Sequence, residues 1–156
     1  MLRRIVGFLG FLLIASVGFS QNTKAEKALL KELNSILSQT PTIHFAYTDP
    51  MKIDSAFAID GGKTLSVTVR YNSPDSGFYR VRMAVALADV ESAFQDMYLL
   101  LECKPAAVHL YESKFNSGQL LFVENRDLFH IGLREDDGKT LDRLRKLLQA
   151  VQPQTR

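Results

Sequence analysis

Two copies of Gly-Lys-Thr are the strings closest to a known chemistry, because a phosphate-binding loop ends that way. The copy Gly132-Leu133-Arg134-Glu135-Asp136-Asp137-Gly138-Lys139-Thr140 follows an alternating apolar run and precedes an amphipathic one. That is the right setting, between a strand and a helix. The spacing is wrong: five residues separate the glycines, where the loop has four. Glu135, Asp136 and Asp137 would also set three carboxylates where phosphate oxygens belong. The copy Gly61-Gly62-Lys63-Thr64 leads into a strand-like run, so no helix N-terminus faces a phosphate. It reads as a hairpin turn.

The remaining reactive side chains are scattered. His44, His109 and His130 take the polar parity of their runs and are expected to be exposed or half-exposed. A zinc site needs three or four converging ligands, and no histidine has a His, Cys, Asp or Glu at ligand spacing. Cys103, the single cysteine, shares the parity of Met97, Leu99 and Leu101. It is expected to be buried and inert. There is no Gly-x-Ser-x-Gly; Ser76 and Ser117 precede glycines where turns are expected. Glu91, Asp96 and Glu102 do not pair. The expectation is no catalytic, metal or cofactor-binding residue, and a protein that is not an enzyme.

Charge becomes informative when strands are set in register. Apolar residues must face apolar residues across an antiparallel pair. Around Gly61-Gly62 this predicts Ile59 opposite Leu65, Phe57 opposite Val67, Ser55 opposite Val69 and Asp54 opposite Arg70. The next hairpin pairs Val69 with Val81, Tyr71 with Tyr79, Arg70 with Arg80 and Thr68 with Arg82. Arg70, Arg80 and Arg82 then cluster on an outer face beside Asp54. They are candidate contacts for an anion or an acidic partner, since opposed like charges need a counter-charge. The plainer alternative is a solvated face whose ion pair contributes under about 1 kcal/mol. A second candidate is apolar. Tyr98, Leu100, Tyr111, Leu121 and Val123 lie opposite the core parity, so both faces of those strands should be covered. Helices are one cover; a ligand or partner in a groove lined by Tyr98, Leu100 and Tyr111 is the other.

The elements that must position these residues follow from periodicity. Thr23-Lys24-Ala25-Glu26 is a capping box, and Ala25, Leu29, Leu33, Ile36 and Leu37 form one face of a helix over 24–38. From Thr42 to Leu133 apolar residues alternate. Runs led by Ile43, Ile53, Leu65, Tyr79, Met97, Val108, Leu120 and Phe129 are separated by turn residues. Leu141, Leu144, Leu148 and Val151 then recur at helical spacing over 140–151. The fold class is α+β and mostly antiparallel. About seven or eight strands form a sandwich or partly open barrel, with an N-terminal and a C-terminal helix. In element order this resembles the pleckstrin-homology-like superfold, with an added N-terminal helix. The resemblance implies a C-terminal helix plugging one end of a bent barrel, and it names no function.

Before these elements come Arg3-Arg4, the uncharged run Ile5 to Val17, and Gly18-Phe19-Ser20. That is the layout of a signal peptide cleaved after Ser20, and the run is shorter than the roughly 20 residues of a membrane span. The expected organisation is a signal over 1–20 and one domain over 21–156. Removing Arg3 and Arg4 takes Lys+Arg from 19 to 17, equal to the 17 Asp+Glu. A balanced domain lacks the basic footprint of a nucleic-acid binder. The reading is an exported protein, periplasmic or secreted, soluble after cleavage. It would be a non-catalytic binding module for a protein partner or a small apolar ligand. The alternatives are an envelope enzyme with an unrecognised site and a structural envelope component.

Overall fold

A computed structural model describes residues 22–44, 46–74, 77–132 and 138–152. Two helices, α1 (Lys24–Leu37) and α2 (Lys139–Val151), flank eight strands. These are β1 (Met51–Ile59), β2 (Thr64–Ser73), β3 (Gly77–Ala86), β4 (Val90–Gln95), β5 (Leu99–Cys103), β6 (Val108–Ser113), β7 (Leu120–Arg126) and β8 (Leu128–Gly132). One sheet has five strands in the order β1-β2-β3-β6-β7; the other has three, β4-β5-β8. Every pairing is antiparallel. The architecture is the expected α+β arrangement, built as two sheets rather than a closed barrel. In place of an end plug, α2 packs on α1 and β4.

Period-two burial sets the core. Leu65, Val67, Val69 and Tyr71 of β2 and Val81, Met83 and Val85 of β3 point inward. Leu99, Leu101, Cys103, Phe129 and Ile131 come from the small sheet, and Leu29, Leu33, Ile36, Leu37, Leu144 and Leu148 from the helices. Each such leucine contributes roughly 1.5–3 kcal/mol by leaving water. Cys103 is buried as expected, and burial, then the nearby Asp89, Glu91 and Glu102 carboxylates, push its thiol up to about 12.

The capping box forms. The Glu26 N–H donates to Thr23 Oγ1 at 3.2 Å, and the Thr23 N–H donates to Glu26 Oε2 at 2.7 Å. Glu26 is nevertheless buried. Lys63 Nζ, from the β1–β2 turn, lies 2.7 Å from its other oxygen, and that partner holds the carboxyl below its usual value. The helix start is thereby tied to the first hairpin. Further along α1, the Asn34 amide meets both backbone groups of Phe57. The open edge of β1 is satisfied there by a side chain instead of another strand.

Several expectations need correction. The alternation Ile43, Phe45, Tyr47 does not make a strand: the described residues around it are turns and bends. Ile43 is buried all the same, because one apolar side chain can anchor a loop without a ladder. Met97, assigned to the core series, precedes β5 and is 64% exposed. On β7, Phe122 faces out where alternation placed it inside. A register irregularity between Leu110 and Tyr111 adds a residue to β7, and such a bulge reverses the faces beyond it. Leu121 and Val123 are exposed too. Expectations for 1–20, Phe45, Asp75, Ser76, 133–137 and Pro153 fall outside the described residues.

Candidate functional site

β2 and β3 pair without interruption from Thr64↔Ala86 to Ser73↔Gly77. The predicted partners Val69↔Val81, Tyr71↔Tyr79, Arg70↔Arg80 and Thr68↔Arg82 are all observed. Because alternation sends Val69, Tyr71 and Val81 inward, Arg70, Arg80 and Arg82 must stand together on the outer face.

The Asp54 register is different. Lys52, not Asp54, is the partner of Arg70, and Ser55 faces Thr68 instead of Val69. Irregularities between Ile53 and Ser55 and between Ser55 and Ala58 displace the strand. The carboxylate still reaches the arginines. Asp54 Oδ1 lies 3.3 Å from Arg70 Nε, and Oδ2 lies 2.7 Å from Arg80 Nε. Neither N–H is aimed well enough to count as a hydrogen bond, so these are close charge contacts. Asp54 keeps 17% of its side chain exposed and each arginine about a third. Part of the Coulomb gain survives screening at that depth. The guanidinium carbons of Arg70 and Arg80 also stand 5.5 and 5.9 Å from the Phe78 ring centre, within cation–π range.

Arg82 is placed differently. Among the described residues it has no carboxylate partner. Its Nη2 is 3.5 Å from Ser66 Oγ, and its Nε is buried without a hydrogen bond. It lies between two clefts. One, of about 410 Å³, is lined by Asp54, Ser55, Thr68, Arg80, Arg82 and Leu120. The other, of about 480 Å³, is lined by Thr64, Arg82, Ala84, His109, Tyr111 and Leu120. Arg82 and Leu120 belong to both. Leu120 of β7 and Asp54 of β1 come from opposite edges of the sheet, so both edge strands reach one cleft over the central ones. His109 Nδ1 is 2.8 Å from Asn125 Oδ1.

The apolar candidates divide. Leu100 is buried on β5 of the small sheet, opposite His130, and Tyr98 is buried in the bend just before β5, whereas Tyr111 is half-exposed on the large sheet. They do not share a groove; only Tyr111 lines a cleft. The histidines divide as well. His109 is exposed and His44 half-buried, as expected, but His130 is buried. Its ring centre is 4.4 Å from that of His44 and 6.0 Å from that of Tyr98. Burial first, then the charges of His44 and Arg126, lower its pKa to about 4. Parity missed this because the loop carrying His44 covers a face that alternation alone left open. Beside it, Tyr47 stacks on Tyr71 and Tyr71 on Tyr79, at 4.6 and 5.4 Å. Tyr47 donates to Glu112 Oε1 at 2.6 Å. Burial, then that carboxylate, drives the Tyr47 phenol far above its ordinary value. No spacing signal marks a contact across 65 residues. Among the described residues no group of three or more His, Cys, Asp or Glu could hold a metal.

Guanidinium groups keep their charge at all ordinary pH and present a planar fork of donors. The outer face is therefore suited to holding an anion rather than to moving protons. The molecule so defined is a two-sheet α+β domain with an arginine-lined cleft. No protein-family model matches the chain, and comparison with curated proteins and with solved structures gave no match either.

Proposed function

We propose that this protein is an exported, non-catalytic binding module that takes an anionic group on the outer face of its five-stranded sheet. The observation that carries the reading is Arg82, a guanidinium between two clefts with no carboxylate partner among the described residues. Asp54 offsets part of the charge of Arg70 and Arg80; among the described residues nothing comparable offsets Arg82. A buried or half-buried cation left unpaired is costly, and a bound anion would relieve that cost with charge-assisted hydrogen bonds. Export rests on the basic, apolar and small-residue layout of 1–20. In the described residues no helix is long and apolar enough to cross a membrane.

The binding test is a titration with inorganic phosphate and with acetate at constant ionic strength, followed by amide shifts. The shifts should centre on Thr68, Arg82 and Ala84, saturate in the millimolar range, and disappear in Arg82→Gln. No shift at tens of millimolar, or shifts that Arg82→Gln leaves intact, would refute the assignment. Intact-mass measurement on the exported protein tests the rest. It should give a chain beginning at Gln21, and a soluble exported chain retaining 1–20 would contradict cleavage.

A further inference from the structure

We infer that the two clefts are one site for a free amphipathic carboxylate, such as a medium-chain fatty acid, with its head at Arg82 and its chain beside Tyr111. This rests on the anion reading above and narrows it. The two clefts differ in chemistry. The lining on the Asp54 side is polar apart from Leu120. On the other side Ala84, Tyr111 and Leu120 provide apolar surface alongside Thr64 and His109.

Arg82 stands where the two meet, so a ligand crossing that point must change from charged to apolar. The row Arg80, Arg82, Ala84 ends in a methyl group. Across the ladder Ala84 faces Ser66 on one side and His109 on the other. Ala84 is a short floor in a cleft of about 480 Å³ that the taller Tyr111 and Leu120 side chains also line. That volume lies within the roughly 300–1,000 Å³ of small-molecule sites. The Arg82 fork matches a carboxylate in two-point geometry. An acidic protein segment would need the charge but not the apolar half.

Calorimetric titration of the purified protein with acetate, butanoate, octanoate and octanol, each as monomer, separates the alternatives. Affinity should rise with chain length, by about two- to fourfold per buried methylene, with octanol far weaker than octanoate. Arg82→Gln should weaken octanoate at least tenfold. Ala84→Phe, which fills the apolar half, should abolish the chain-length gain, so that octanoate binds no more tightly than acetate does to the same variant. Thermal melts of both variants confirm that they are folded. Carboxylate binding that depends on Arg82 but not on chain length would overturn the amphipathic assignment and leave the anion reading standing, in favour of an acidic protein segment. Octanol binding as tightly as octanoate, insensitive to Arg82→Gln, would overturn it in favour of an apolar cleft alone. Binding of no carboxylate and no phosphate would overturn both readings.

Discussion

His130 links burial to pH. A base whose folded pKa is about 4, against an ordinary 6.5, binds fewer protons folded than unfolded between those values. Stability is therefore complete above about pH 6.5 and falls as the pH drops toward 4. Below that the term is constant. The groups facing the ring are His44, Tyr98 and Arg126. His44 is lowered too, again mainly by burial, and adds in the same direction. Glu26 acts separately: its carboxyl is held below 4.5, so its contribution is lost only at lower pH. Urea unfolding at a series of pH values should show a loss of about 2–3 kcal/mol across the histidine window. His130→Gln should flatten most of that slope. Equal slopes in the two proteins would show that His130 does not govern the acid limb.

Helix α2 shows how an element's own stripe meets its surroundings. Leu144 and Leu148 are 0% and 3% exposed, while Leu141 and Val151 sit at the margin of the core. Arg145, beside Leu144 in the chain, donates from Nε to the Ala93 carbonyl at 2.8 Å, which pins the helix to β4. Leu144→Ala and Leu148→Ala should each lower stability by about 2–5 kcal/mol. Lys146→Ala, at an exposed position, should change it by less than about 0.5 kcal/mol. Thermal melts decide it. Unchanged melting of the leucine variants would mean that the stripe serves a partner, not the core. At the other end of the chain, Thr23→Ala removes one half of a formed capping box, a loss of about 1 kcal/mol.

The whole molecule ties its two sheets together through α1, which packs on β1 of the large sheet, β8 of the small one and α2. Phe57 and Phe129, one from each sheet, have ring centres 6.0 Å apart. Neither sheet has an inner face of its own to bury, so the two should unfold in one step. Far-ultraviolet dichroism and tyrosine fluorescence should give coincident melts. Phe129→Ala, in the small sheet and fully buried, should lower both midpoints together, with a loss of about 3–5 kcal/mol. A variant in which the two probes separate would show that the sheets are independent units. The large sheet ends in β7, where Leu121, Phe122 and Val123 are 43%, 56% and 48% exposed. The bulge in that strand and the Glu124–Arg126 pair beside it are devices that discourage pairing with another edge.

What could be read from the chain before folding is what local periodicity and short-range register carry. Both helices, the alternation of the strands and the uninterrupted β2–β3 ladder were legible, because each depends on side chains two to four residues apart or on one tight turn. The arginine cluster followed from that ladder, since parity alone puts Arg70, Arg80 and Arg82 on one face. How Asp54 meets them depends on the folded geometry of β1. Two irregularities in β1 displaced its register, and a bulge leaves the alternation around it looking regular. Tertiary contact also buried His130 under the loop of His44, joined Tyr47 to Glu112, and put Leu100 in a different sheet from Tyr111, with Tyr98 in the bend before it. Parity tells which of two faces a side chain takes. What covers that face is set by segments far away in the chain, through contacts that leave no periodic trace.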